Sequence, residues 1–322
     1  MQLPFELIEA IERLSEGYQF SELQAAADRL SEGYRSGGSS NRPFQDPVQM
    51  IAYLTTRAPA TFAAVHAVLT AVRERIPGQI GKRLLDLGAG PGTASWAALE
   101  VFPELEHICL IDGSAAAIEV GQKLSACAGR ALQKAEWRCR SLEAEEELPF
   151  ADLAILSYVL GELRENSTLL KRLIRAKIPL IALIEPGTPQ GFERIRAIRQ
   201  EALQMGATII APCPHALACP MQGTNWCHFP ARVERTRLMR QLKGGTLGYE
   251  DEKFSYVVLA NQTIALEPLE GRVVRAPQAL KGHVRLPLCA EDGQLREVVV
   301  TRKDKERYRL ARDAEWGSAW RM

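Results

Sequence analysis

Leu84-Leu85-Asp86-Leu87-Gly88-Ala89-Gly90-Pro91-Gly92-Thr93 is the stretch that decides the fold. The apolar run up to Leu87 reads as a buried strand, and Thr93–Val101 reads as the helix that follows it. Gly88, Gly90 and Gly92 therefore stand where a strand hands over to a helix. Glycine there tolerates positive φ and lets the backbone approach a ligand, while the helix start offers unpaired N–H groups. A dinucleotide-binding G-x-G-x-x-G would need glycine at position 93, which is Thr93. Outward from the loop, apolar segments at Arg83–Leu87, Glu106–Ile111, Glu136–Leu142, Asp152–Tyr158 and Pro179–Ile184 alternate with helical patterns near Thr93–Val101, Ser114–Ala128, Gly161–Lys177 and Gly191–Met205. Such alternation predicts an α/β doubly wound sheet with parallel crossovers, completed by a later strand at Phe254–Ala260.

The loop resembles the D-x-G-x-G-x-G signature of class I adenosylmethionine-dependent methyltransferases, a Rossmann-like fold. The next strand, His107-Ile-Cys-Leu-Ile-Asp112, ends on a carboxylate placed to accept two ribose hydroxyls. The resemblance implies Asp86 beside the amino acid part of S-adenosylmethionine, Leu142 and Glu143 near its adenine, and Ser157 and Tyr158 beside the methyl-transfer position. Glu143 is equally readable as a solvated acid. Base N-methyltransferases of this fold carry D/N-P-P-Y/F after the fourth strand, where this chain has Ser157-Tyr158-Val159-Leu160, and no cysteine stands there to attack a pyrimidine C5. The sequence thus predicts adenosylmethionine binding and assigns no catalytic residue.

A second constellation lies downstream: Cys213-Pro214-His215, Cys219-Pro220, Trp226-Cys227-His228-Phe229 and, much later, Cys289. Structural zinc more often uses paired C-x2–4-C knuckles, which are missing. Cysteines followed by proline, with Trp226 and Phe229 to limit solvent, suit an iron–sulfur cluster better, and zinc remains the alternative with His215 or His228 replacing a thiol. Cys109, Cys127 and Cys139 read as incidental thiols. Gly282–Leu288 and Leu295–Thr301, joined through Asp292-Gly293, predict a β-hairpin that delivers Cys289.

The cysteine motifs, followed by WCHFPARVER (226–235), YEDEKFSYVVLA (249–260), GHVRLPLC (282–289) and ARDAEWGSAW (311–320), are similar to methyltransferase-like proteins associated with the mitochondrial small ribosomal subunit and their bacterial relatives. SYVLGEL (157–163) and IEPGTPQGFERIR (184–196) extend the resemblance, which runs from about Pro43 to Trp320. It implies a [4Fe–4S] cluster on Cys213, Cys219, Cys227 and Cys289 and a role in small-subunit assembly or translation. The short acidic N-terminus favours a bacterial, cytoplasmic member over a mitochondrial one. Expected partners are the small ribosomal subunit and its RNA, with no membrane and a monomeric chain.

Composition is compatible with this and selects little by itself. The 322 residues are 25% charged and 46% hydrophobic with a formal net charge of +1, and no run approaches the ~18 apolar residues of a membrane span. The two parts of the chain differ, since residues 1–205 hold 22 Lys and Arg against 26 Asp and Glu, and the remainder 18 against 13. Arg232, Arg235, Arg237, Arg240 and Lys243 are expected on a helix facing RNA phosphates, with Arg272, Arg275, Lys281 and Arg285 as a second cationic stretch. A plain exposed helix is the alternative.

The expected domains are a helical N-terminal cap (1–78) broken at Gly37, Gly38, Ser39 and Ser40, an adenosylmethionine-binding core (79–205), a cysteine-rich insertion (206–250), and a last segment with the final core strand and the hairpin (251–322). Two other functions fit the same residues: a non-catalytic assembly factor with a retained nucleotide pocket, and a small-molecule methyltransferase with structural zinc.

Overall fold

The computed structural model describes residues 1–35 and 46–321; the expected break at Gly37–Ser40 lies outside them. Among the described residues the chain opens with α1 (Phe5–Ser15), α2 (Phe20–Arg35), α3 (Pro47–Thr56) and α4 (Ala58–Arg75). Pro47 occupies the first turn of α3, where its missing N–H costs nothing, and the Asp46 carboxylate accepts from Val48 N at 2.9 Å.

β1 (Arg83–Leu87), α5 (Thr93–Val101), β2 (His107–Asp112), α6 (Ala115–Ser125), α7 (Arg130–Gln133), β3 (Glu136–Cys139), β4 (Leu153–Ser157), α8 (Asn166–Arg175), β5 (Leu180–Pro186) and α9 (Pro189–Gln204) follow. Then come β6 (Thr208–Ala211), β7 (Phe229–Glu234), α10 (Arg237–Leu242) and β8 (Tyr249–Ala260). Eight of these strands form one sheet in the order β3-β2-β1-β4-β5-β8-β6, with β7 on the outer half of β8. β1 to β5 pair in parallel, and β8 runs antiparallel to β5, β6 and β7. This is the class I methyltransferase arrangement, and the expected doubly wound sheet is present.

Strand residues alternate between two buried faces, as the two-residue period of a covered sheet requires. Leu84, Leu110, Leu153, Ile155, Ala182 and Val258 join one core with α1, α3, α4 and α5, whereas Leu85, Leu87, Leu156, Leu183 and Val257 join another with α8 and α9. α4 packs directly on β6, β7 and β8 as well as on α5. The segment read as a cap is therefore, at α4, a layer of the sheet's own core. The segment read as a cysteine insertion likewise contains β6 and β7, both paired to β8. Short apolar runs such as Thr208–Ala211 are too brief to show a period of their own.

The last part of the chain forms a second sheet. It contains β9 (Gly271–Val273), β10 (Gln278–Leu280), β11 (His283–Ala290), β12 (Leu295–Thr301) and β13 (Ala319–Trp320), with α11 (Lys305–Asp313) packed on β11 and β12. The hairpin β11–β12 forms as the sequence predicts, closed at Gly293 with φ 79°. Val273, Val284, Leu286, Leu288, Val300, Ala311 and Trp320 give this unit its own small core.

Candidate functional site

Strand order reverses between β1 and β4, and such a switch point opens a crevice outside the C-terminal ends of the two strands. Gly88–Gly92 leave β1 there and Ser157–Tyr158 close β4. Gly88 has φ 69°, and a Cβ on it would sit 2.5 Å from Val159 Cγ2, so only glycine lets the two loops pack. A Cβ on Gly90 (φ 53°) would meet nothing within 4 Å, which leaves open space on that side of the loop. Asp112 braces the mouth: Oδ2 accepts from Gly90 N at 2.8 Å and Oδ1 from Ser114 N at 2.7 Å. Each oxygen keeps a lone pair for a further donor.

Asp86 lies beneath the loop, fully buried, with Oδ2 accepting from the Ser95 hydroxyl at 2.7 Å and Oδ1 without a hydrogen-bond partner among the described residues. Burial pushes its carboxyl up to about 7; the Ser95 hydrogen bond opposes this and the nearby Asp112 charge adds to it. An unpaired buried carboxylate oxygen is costly, and a cationic or hydrogen-bond-donating ligand group would relieve it.

β3 stops at Cys139, so Leu142 and Glu143 belong to the following loop rather than to the strand. Leu142 O accepts from Arg172 Nη1 at 2.6 Å, and the exposed Glu143 accepts from Arg164 N at 2.9 Å. Tyr158 holds a left-handed backbone, φ 59°, rare for a bulky side chain and a conformation that costs ~1–3 kcal/mol. Its hydroxyl donates to Glu252 Oε1 on β8 at 3.2 Å.

Glu185, at the end of β5, lies in the IEPGTPQGFERIR stretch, which by itself assigns it no role. It is 1% exposed, accepts from Leu160 N at 3.1 Å and pairs with Arg194 of α9 at 3.0 Å, and burial raises its carboxyl to about 7 against the pull of Arg194. It thereby fixes the Ser157–Leu160 segment. The clues in the sequence are that Glu185 and Arg194 share the 184–196 stretch and flank the turn into a helix.

Cys213, Cys219, Cys227 and Cys289 line one largely apolar cavity with His215, Phe192 and Met221. Burial raises the Cys227 thiol, and its three companion cysteines add to the rise. Cys289 is pushed up to about 12 by burial and then by Cys213 and Cys219. Its Sγ lies 3.4 Å from His215 Nε2. His228 does not line the cavity; it stacks on Trp226 (5.1 Å between ring centres) and meets the Trp316 ring at a tilt (4.8 Å, 60°). Among the described residues no three His, Cys, Asp or Glu side chains converge as ligands of a single metal ion. Cys109, Cys127 and Cys139 lie away from the cavity on β2, after α6 and at the end of β3.

The cavity is held by arginines that the sequence offered as surface cations or not at all. Arg272, 1% exposed, donates to Pro212 O at 2.9 Å and Gly317 O at 2.8 Å. Arg199 of α9 donates to His215 O at 3.0 Å and Leu217 O at 2.8 Å. Arg275 donates to Trp226 O and lies over Trp316. Two further bonds join the cysteine loop to the crevice side: Trp226 Nε1 to Gly187 O at 2.9 Å, just after β5, and Ser255 Oγ to Cys227 O at 2.8 Å.

The single basic helix expected at Arg232–Lys243 does not form. Arg232 is on β7, paired to Asp251 at 2.7 Å; Arg235 and Lys243 both grip Glu250, at 3.0 and 2.7 Å. Sequence periodicity could not show that β8 brings Glu250 and Asp251 across the pair. Of these five cations, only Arg237 and Arg240, on the short α10, remain exposed without an ion pair among the described residues.

With the glycine crevice and the cysteine cavity in place, the family profile described as mitochondrial small ribosomal subunit Rsm22 matches residues 47–321. The chain belongs to this family. Among curated relatives, the human "Ribosome assembly protein METTL17, mitochondrial" is 26% identical over 83% of this chain and 61% of its own length. The Schizosaccharomyces pombe "Rsm22-cox11 tandem protein 2, mitochondrial" is 25% identical over 86% of this chain and 44% of its own. The Rsm22-family chain thus spans about half the length of these relatives. Solved structures it is similar to include a putative RNA methyltransferase from Pyrococcus horikoshii (13% identity, TM-score 0.38, 68% of this chain and 85% of that one). Another is the plantazolicin methyltransferase BpumL in complex with SAH (12% identity, TM-score 0.42, 78% of this chain and all of that one).

Proposed function

We propose that this chain is an adenosylmethionine-binding, methyltransferase-like assembly factor of the small ribosomal subunit that carries a [4Fe–4S] cluster and docks to, or acts on, small-subunit RNA. The observation that carries the reading is the meeting of Cys213, Cys219, Cys227 and Cys289 at one cavity, although Cys289 comes from a different sheet. Thiolates around a single tetrahedral zinc stand only ~3.8 Å apart, from Zn–S bonds near 2.3 Å. The four cysteines line one cavity with no three of them converging on a single metal-ion position among the described residues, which suits a four-iron cluster with one thiolate per iron. The apolar wall of Phe192, Met221 and Val274 suits such a group too. A cluster bound there would cross-link the cysteine loop to β11.

For the nucleotide ligand, Gly88, Gly90 and Gly92 supply the backbone cradle, Asp112 the ribose acceptors, Asp86 the buried acid near the amino acid part, and Ser157 and Tyr158 the wall at the methyl group. The open space at Gly90 and the unpartnered Asp86 oxygen support this assignment. The association with the small subunit is supported by family membership, and the assembly role by the name of the human relative. The alternative, docking without methyl transfer, is favoured by Tyr158, whose hydroxyl is engaged by Glu252.

Anaerobic purification with iron, sulfide, zinc and visible-absorption analysis on one sample tests the proposal. About four irons and four sulfides per chain, lost in Cys289→Ser, are expected. One zinc and a colourless protein would overturn the cluster. Methyl transfer from labelled adenosylmethionine to small-subunit RNA then separates enzyme from docking factor.

A further inference from the structure

We infer that the RNA-contacting surface of this protein is a cationic ridge on the second sheet, formed by Lys281, Arg302, Lys303, Lys305, Arg309 and Arg312, and not the β7–α10 segment. The inference rests on the proposed docking to RNA and locates it. Residues 302–312 hold six Lys and Arg against two acids in a chain whose total charge is +1. One of the acids, Asp304, is engaged as the cap of α11, accepting from Arg307 N at 3.1 Å. Arg307 turns inward over Trp320. The other five cations are exposed, and none forms an ion pair among the described residues, unlike Arg232, Arg235 and Lys243.

Topology gathers them. Arg302 N donates to Gly282 O at 3.2 Å, which sets the β10–β11 turn carrying Lys281 beside the end of β12 and the start of α11. Lys305, Arg309 and Arg312 follow at i, i+4 and i+7 on one flank of α11, while Tyr308 and Ala311 face the core of the second sheet. Their steps along the helix axis, about 6 and 4.5 Å, are on the scale of successive phosphates on one strand. Uncompensated like charges repel one another and weaken the fold that holds them, and a polyanion relieves this. The spacing and the forked guanidinium groups favour a phosphate backbone.

The test is fluorescence anisotropy of the full chain with a labelled RNA hairpin, titrated over a range of salt. A Lys303→Glu/Arg309→Glu/Arg312→Glu variant should bind at least tenfold more weakly at low salt. Its slope of log affinity against log salt should fall by roughly 0.7–0.9 for each phosphate that is no longer neutralised. Arg237→Glu/Arg240→Glu should change affinity by less than a factor of about two, and Arg309→Lys/Arg312→Lys should retain most binding. Adenosylmethionine affinity should stay constant and the melting temperature should not fall in any variant, as controls for folding. Wild-type affinity in the triple variant, or a loss confined to the α10 variant, would overturn the location. If the triple variant keeps RNA but loses a polyglutamate probe, the ridge serves an acidic protein and the inference fails. Absence of RNA binding by the wild-type chain would instead refute the docking reading itself.

Discussion

Gly90 shows what one residue decides here. Its φ of 53° and the open space where a Cβ would point mean that a side chain added there strains the turn and fills the crevice. Gly90→Arg is expected to abolish adenosylmethionine binding in calorimetry while iron content stays unchanged; retained affinity would remove the loop from the pocket. Asp86 supplies a pH signature. Its folded carboxyl titrates at about 7, so below that pH it is protonated and must lose its proton before pairing with a ligand ammonium group. Affinity should therefore rise with pH, by up to about tenfold per unit, and level off above 7. Asp86→Asn should flatten that dependence, and an unchanged profile would exclude Asp86 as the titrating partner. Both residues were legible in the sequence, because a glycine-rich strand-to-helix turn is a local pattern. The role of Glu185 was not, although its stretch carries part of the family resemblance, since its partners Leu160 and Arg194 reach it only through the parallel neighbour β4 and the following helix.

At the scale of elements, the cysteine loop is held by bonds from elsewhere more than by its own regularity. Arg272 of β9 bridges Pro212 O and Gly317 O while buried. Arg272→Ala would strand both carbonyls, at ~1–3 kcal/mol each, and is expected to lower the melting temperature and release the cofactor together. Trp226→Phe removes one bond, to Gly187 O, and should cost ~1 kcal/mol. Hydrogen exchange should then speed up in residues 212–228 and leave β1–β5 unaltered; uniform acceleration would mean that the loop and sheet open as one unit. The hairpin that carries Cys289 was readable from its turn and its alternation. The pairing of β7 with β8 was not, and with it went the reading of Arg232–Lys243 as one RNA-facing helix. A strand and a short helix joined at Arg235 leave the cations on different surfaces, and β8 places Glu250 and Asp251 against three of them.

The whole molecule joins what the sequence read as separate parts. Leu69 of α4 is fully buried in the core shared by the N-terminal helices and one face of the sheet. Leu69→Ala is expected to cost about 2–5 kcal/mol and to shift the transition of the main sheet itself. A separate early transition for residues 1–78 in the melt would contradict the shared core. By itself the sequence determined the class of fold, the place of the glycine crevice and the identity of four cysteines, because each is written in local periodicity, turn chemistry or residue type. Only the tertiary structure decided that α4 belongs to the sheet, that Cys289 sits on a second sheet of its own, and which arginines serve as clamps or ion pairs and which form no ion pair among the described residues. Those outcomes depend on contacts between residues tens to hundreds of positions apart, and such contacts form only when the chain has packed.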